Sequence, residues 1–285
     1  MNRHDFRLFH RLRVRWAEVD MQKIVFNAHY LMYFDTAITD YWRALGLPFE
    51  AAMRQLGGDL YVKKASVEYH GSAHFDDQLD VAMKCSRIGN SSMLFSGSIF
   101  RGDELLITCE LVYVFADPPS QTSRPVPLAL RRLVDRFEAG ESVLAIKLGD
   151  WAALEQDSVT MRTAVFVEEQ GMAPGTESDD ADSLALHVVV CNALGQAVAT
   201  GRLSGLDCGS ARMGRMAVHR ALRGSGVGRV VLQTLMDAAR QRGHAEVSLH
   251  AQCSAEDFYR RQGFVARSDV FDVGGIPHVE MVRAL

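Results

Sequence analysis

The stretch MGRMAVHRALRGSGVGRVVLQTLMDAAR, residues 213–240, changes its period partway along, and that change decides how the second half of the chain is read. Met213 to Val218 form a short apolar run that suits a strand. Arg223, Gly224, Ser225, Gly226, Val227 and Gly228 follow, and an amphipathic helix takes over from there. Small residues let a ligand approach the backbone, and the free N–H groups of a helix start suit a pyrophosphate. Arg223 adds positive charge; close helix packing is the other use of such a turn. No Gly-Lys-Ser/Thr follows, which argues against a nucleotide P-loop, and the order G-x-G-x-G departs from the G-x-G-x-x-G of dinucleotide folds.

Outward from this stretch, helical and strand patterns alternate. MRTAVFVEEQ (161–170) reads as helix, ALHVVVCN (185–192) and QAVATGRLS (196–204) as a hairpin, ARMGRMAVH (211–219) and EVSLHAQ (246–252) as strands. AEDFYRRQG (255–263) reads as helix and HVEMVRAL (278–285) as the last strand. Such alternation predicts a mixed α/β sheet flanked by helices.

The first half has a different rhythm. Leu12, Val14 and Trp16 alternate with Arg11, Arg13 and Arg15, a half-buried strand. Leu31, Phe34, Ile38, Tyr41 and Leu45 make one helical stripe, with Asn27 as N-cap and Gly46 and Pro48 as the stop. Four β-rich runs between Tyr61 and Phe115 then predict an antiparallel sheet wrapped round a long helix. PPSQTSRPVP (118–127) holds four of the seven prolines and reads as a linker, with a short helix, LALRRLVDRFE, after it.

The chain has 285 residues, enough for two cores, which the patterns divide at 1–140 and 141–285. Its 31 basic and 35 acidic side chains leave a net charge of −4, which argues against a broad nucleic-acid surface. The five cysteines, Cys85, Cys109, Cys191, Cys208 and Cys253, are scattered without a C-x-x-C pair; neither a disulfide framework nor a metal site is expected. No export signal or membrane span is read, so a cytoplasmic protein is expected.

In VRWAEVDMQKIVFNAHYLMYF (14–34), Asp20 stands at a strand end shortly before a helix start at Asn27. Helix N–H groups can polarise a thioester carbonyl, and Asp20 can act as base or nucleophile; a turn residue and a plain cap are the alternative. Residues 8–138 resemble the hotdog-fold acyl-CoA thioesterases of the 4-hydroxybenzoyl-CoA thioesterase group, especially its YbgC-like and FadM-like branch. The resemblance implies that Asp20 is the catalytic carboxylate, that the Asn27 N–H contributes an oxyanion hole, and that acyl-CoA binds at the interface of a homodimer or tetramer. Lys23 stands where that family usually has Gly, and Asn27 where the YbgC-like branch often has His. Glu18 reads as a supporting partner, and His29 as packing or capping.

Residues 145–285 resemble the GNAT superfamily of N-acetyltransferases through R-x-x-G-x-G at 223–228 and through QCSAEDFYRRQGF (252–264). The latter keeps Ala255, Phe258, Tyr259, Gly263 and Phe264 and has Gln252 for Asn. RTAVFVEEQ (162–170) and GGIPHVEM (274–281) are similar to its ElaA-like branch. This resemblance implies that N–H groups around Met216 and Val218 hold the pantetheine and thioester oxygen, that residues 223–228 hold the pyrophosphate, and that Tyr259 protonates the departing thiolate. Glu168 and Glu169 remain open between base and solvated helix face.

Together the expectation is an α+β two-domain protein, an N-terminal hotdog and a C-terminal GNAT sheet. It would be bifunctional on coenzyme A, acetyl-CoA or acyl-CoA as substrate, with an amine acceptor and no tightly bound cofactor. The contrasting reading is a non-catalytic acyl-CoA-sensing hotdog that dimerises and regulates an acetyltransferase.

Overall fold

A computed structural model describes residues 1–205 and 211–285. Cys208 lies outside the described residues. The chain separates into Met1–Val143 and Leu144–Leu285, each with its own core.

The first unit runs β1 (Leu8–Arg13), α1 (Asn27–Ala44), α2 (Phe49–Leu56), β2 (Asp59–Tyr69), β3 (Gln78–Ile88), β4 (Ser92–Arg101), β5 (Glu104–Ala116) and α3 (Leu128–Glu138). Its strands form one antiparallel sheet in the order β1-β3-β4-β5-β2. Helix α1 lies close on this sheet at Gly97. A Cβ there would come within 2.6 Å of the Phe34 ring and 2.7 Å of Met83 Sδ, so glycine is required by the approach rather than by the turn. Tyr41 and Phe95 meet edge to face at 5.2 Å, and Phe95 meets Tyr113 at 5.6 Å, which fills the core between helix and sheet.

Three sequence expectations change here. Strand β1 ends at Arg13; Val14 is buried but Trp16 is 78% exposed in a 3₁₀ turn, because the Glu18 carboxylate accepts the Arg15 N–H and turns the chain. Leu31 of the predicted helical stripe is exposed, and Tyr30, Tyr33 and Trp42 join Phe34, Ile38 and Tyr41 on the buried face. The proline-rich segment belongs inside this unit. Val126 is buried, Arg131 donates to the Val126 and Asn90 carbonyls, and Glu138 accepts from Tyr41 Oη at 2.6 Å and from Cys85 N at 2.8 Å.

The second unit runs β6 (Leu144–Gly149), α4 (Trp151–Arg162), a π-helical turn (Thr163–Glu169), β7 (Leu186–Asn192), β8 (Ala197–Ser204), β9 (Ala211–Val218) and α5 (Val227–Gln241). β10 (Glu246–Gln252), α6 (Glu256–Arg261), β11 (Val265–Ala266), β12 (Phe271–Val273) and β13 (Ile276–Ala284) complete it. The sheet order is β11-β13-β10-β9-β8-β7-β6, with β12 paired to β13. β9 and β10 are parallel, joined by α5 as crossover. Successive β7 side chains alternate faces. Val188 and Val190 join the core under α5, while Val189 and Cys191 pack with Leu154 of α4, so helices cover both faces. Strand β6 is absent from the sequence reading because it is an edge: Ile146 and Leu148 are about half exposed and show no buried alternation. Among the described residues no helix is long and apolar enough to cross a membrane.

Candidate functional site

In the first unit, Glu18, Val19 and Asp20 face Phe26, Val25 and Ile24 as a small hairpin. Phe26 N donates to the Glu18 carbonyl and Asp20 N to the Ile24 carbonyl, both at 2.9 Å. Its turn is closed by Lys23 at φ 63° and by Gln22 N–H on Asp20 Oδ1 at 2.8 Å. Lys23 therefore holds the left-handed backbone for which glycine is suited, and pays strain to do so. Asn27 is the first residue of α1 and not its cap. Phe26 occupies the cap position, and no side chain caps the helix. A Phe cap leaves the first N–H groups of α1 without an internal acceptor, which is the property an oxyanion site requires.

Asp20 and Asn27 thus sit on one hairpin and helix start, with no hydrogen bond between them among the described residues. Glu18 is the buried acid of the pair. Burial would raise its carboxyl, but the Arg15 side chain and backbone N–H and the Tyr33 hydroxyl outweigh it and hold it below the usual carboxylate range. It is a fastening group, as its reading as a supporting partner requires. His29 is half-buried, with its ring edge on Phe26 at 6.1 Å.

In the second unit, β9 and β10 pair only from Ala211 to Met213 against Val247 to Leu249. Beyond that point they part, and a cleft of about 770 Å³ opens between them. Met216, Val218, Arg223, Gly226, Gln252 and Tyr259 line it. A bulge in β9 sets this wall. Thr200 faces Ala217 and Arg202 faces Gly214, so Gly201 stands against both Arg215 and Met216, with Arg215 at φ 49°.

Helix α5 begins at the cleft. Its cap is Gly226 at φ 93°, a left-handed position that favours glycine, and no side chain caps the helix. The Arg229 and Val230 N–H groups both reach the Gly226 carbonyl, at 3.0 and 3.2 Å; those of Gly226, Val227 and Gly228 precede that first bond. Within the expected loop, Ser225 N–H and Oγ both donate to the Leu222 carbonyl, at 3.2 and 2.6 Å, and the Val227 side chain is buried in the core.

Tyr259 Oη lies 3.6 Å from Met216 Sδ, and loss of hydration pushes its phenol up to about 12. It therefore carries its proton at neutral pH, as a proton donor must. Glu169 is taken by Arg223 in a two-pronged pair at 2.6 and 2.8 Å, and that guanidinium holds the carboxyl below its usual range. A carboxylate so occupied is a poor base. Glu169 reaches the cleft because α4 runs into the π-helical turn, where Gln170 N bonds the Val165 carbonyl; Gln170 Oε1 accepts from Gln252 Nε2 at 3.1 Å.

A buried network that the sequence reading missed steadies this wall. Arg162, wholly buried, places Nη1 3.0 Å from both Asp182 oxygens. Arg202 reaches Asp182 at 2.8 Å, and Arg215 of the bulge reaches Asp179 at 2.7 Å. His187 Nε2 meets the Asp182 carbonyl at 2.9 Å and therefore donates, leaving Nδ1 to accept from Arg162 at 3.3 Å. The acidic run ESDDAD (177–182) was its available signal. Among the described residues, no group of His, Cys, Asp and Glu is placed to hold a metal ion.

A family model described as "Thioesterase superfamily" matches residues 22–108, and one described as "Acetyltransferase (GNAT) domain" matches residues 164–285. The acyl-CoA thioester hydrolase YbgC of Escherichia coli is 25% identical over 120 residues, covering 42% of this chain and 89% of the relative. The uncharacterized N-acetyltransferase YjcF of Bacillus subtilis is 32% identical over 129 residues, covering 45% of this chain and 91% of the relative. A solved acyl-CoA N-acyltransferase of Pseudomonas aeruginosa is 31% identical, with a TM-score of 0.46, 50% of this chain and 99% of that structure.

Proposed function

We propose, since this chain belongs to the thioesterase superfamily in its first unit and to the GNAT acetyltransferases in its second, that it works on one carrier in two ways. The first unit hydrolyses an acyl-CoA thioester, and the second transfers an acetyl or acyl group from coenzyme A to an amine. The observation that carries the reading is the parting of β9 and β10 beside the uncapped start of α5, with a protonated phenol in the cleft.

In the second unit the pyrophosphate would meet the Gly224 to Gly228 backbone, and Arg223 would exchange Glu169 for phosphate. Pantetheine would run along Met216 and Val218, and Tyr259 would protonate the leaving sulfur. In the first unit Asp20 would act on water as base, or on the carbonyl as nucleophile, while N–H groups at Asn27 hold the oxyanion. Coenzyme A is substrate in both. Met21 is fully exposed, and Phe26 and Met32 are about half exposed around that site, which supports a dimer or tetramer that covers it. Cys85, Cys109, Cys191 and Cys253 are free thiols, which supports a cytoplasmic location. Lys23 itself takes a left-handed backbone in the turn after Asp20, which supports the hydrolase over the sensing module.

Thiol release from short, long and aromatic acyl-CoAs, without amine, tests the hydrolase. Asp20→Asn is expected to lower it at least ~100-fold. Near-normal release in the variant removes Asp20 from the chemistry, and ligand binding without release from either protein restores the sensing reading.

A further inference from the structure

A second cavity in the second unit, of about 210 Å³, shares Met216, Gln252, Ala255 and Tyr259 with the cleft. It meets the cleft at the phenol assigned to the sulfur, so a thioester arriving from one side presents its carbonyl to whatever enters from the other. Phe166, Met172, Val273 and Ile276 make much of the wall apolar, and His250 and His278 are its two imidazoles. An alkylamine in water is mostly ammonium at neutral pH and has no lone pair to attack with. Some group at this cavity must take its proton.

The neighbouring candidates are occupied. Glu169 is bound by Arg223, and Arg215 is bound to Asp179. Arg212 Nη2 lies 2.6 Å from both nitrogens of His250, so that ring is turned to a guanidinium, and burial together with Arg212 lowers its hold on a proton. His278 is different. Its Nδ1 lies 2.8 Å from the Ile276 carbonyl, which can only accept, so Nδ1 carries the hydrogen and the neutral ring keeps its lone pair on Nε2. The half-buried ring stacks on Phe271 at 6.3 Å and 26°, and its register partner across β10 is Gln252. An imidazole with its tautomer set by the backbone, its plane set by an aromatic, and its place in the wall of this cavity has the fittings of a base.

We propose that His278 takes the proton from the acceptor amine, which rests on the transferase reading above. Nε2 removes one proton from the ammonium, and the freed lone pair attacks the thioester carbonyl carbon. The C–N bond forms and the C–S bond breaks; sulfur leaves with the Tyr259 proton. The second amine proton returns to the Tyr259 oxygen, and His278 releases its own to water. Ionisable groups on the elements around His278 include His250 of β10, Arg212 and Arg215 of β9, Asp272 of β12, Glu280 of β13, itself held by Arg267, and Tyr259 of α6.

The test uses the full chain, acetyl-CoA and two kinds of acceptor. One is the best used of butylamine, phenethylamine and spermidine; the other is methoxyamine, a far weaker base that is unprotonated at neutral pH and needs no base. His278→Asn keeps a donor for the Ile276 carbonyl but has no Nε2. It is expected to lower kcat with the alkylamine ~100-fold or more, to leave KM for acetyl-CoA and the methoxyamine rate within about twofold, and to regain alkylamine transfer on adding imidazole. Equal alkylamine rates in variant and wild type overturn the assignment, as does equal loss with both acceptors, which would make His278 a structural group. Wild-type transfer to methoxyamine alone also overturns it. Wild-type transfer to none of the acceptors overturns the transferase reading itself.

Discussion

Helices α1 and α5 begin in the same way and in different surroundings. The residue before each helix is Phe26 in one and Gly226 in the other, and neither start is capped by a side chain. Each leaves its leading N–H groups for something outside the helix. At α5 the same chain supplies the rest: a cleft wall, Arg223 and the Tyr259 phenol. At α1 the helix start and Asp20 lie among exposed apolar side chains, Met21, Phe26 and Met32. One device thus occurs at two places. The second unit has a cleft lined by its own side chains beside its helix start, whereas the first leaves apolar side chains exposed beside its own.

The largest effect should come from the network behind the enclosed site. Arg162→Leu leaves buried Asp182 without one of the two guanidinium groups that reach it and should cost the second unit about 3–5 kcal/mol, with the first unit's unfolding transition unchanged in denaturant titration. A loss below about 1 kcal/mol would mean that Arg202 alone satisfies Asp182. Acid sharpens the same contrast. Burial holds the His187 imidazole below its ordinary value of 6.5, so the unfolded chain binds that proton first as pH falls. Stability due to neutral His187 is complete above 6.5 and declines below it. Asp182, where burial is outweighed by the Asp179 N–H and Arg202, keeps its charge below its ordinary 3.8 and adds a later loss. The second unit's melting transition is expected to fall first between mildly acidic and neutral pH; equal slopes for both units would break the comparison.

Next in size is the helix start itself. Gly226→Glu places a carboxylate where a pyrophosphate is expected and a side chain where φ is 93°. It should raise the KM for acetyl-CoA in amine transfer by roughly thirtyfold, equivalent to about 2 kcal/mol, and leave amine-free thiol release by the first unit unchanged. An unaltered KM would remove α5 from coenzyme A binding. The smallest effect belongs to the open site. Lys23→Gly relieves a left-handed backbone and should stabilise the first unit by about 1 kcal/mol, with hydrolysis within about twofold. A large change in hydrolysis would show that the Lys23 side chain, rather than its backbone, matters to the site.

Much of this was legible residue by residue because its signals are local. The run from Gly224 to Val227 states a backbone need at the point where a strand gives way to a helix. The period of Phe34, Ile38 and Tyr41 states which face of α1 is buried. What was illegible depends on distant partners. Strand β6 lacks alternation because its neighbours cover little of it, and Asn27 looked like a cap because Phe26 is a poor one by propensity. The turn 118–127 read as a linker because prolines mark irregular chain whether or not it is packed, and Val126 is packed.

The amino-acid sequence alone determined two cores, the element types, the helix starts and the families they resemble, since periodicity and glycine placement act over a few residues. Tertiary structure decided which groups are free to react. Glu169 is spent on Arg223, 54 residues away, and Glu18 takes the Tyr33 hydroxyl, 15 residues away. A side chain's chemistry depends on which neighbour has already claimed its protons and lone pairs, and packing between remote segments makes that assignment.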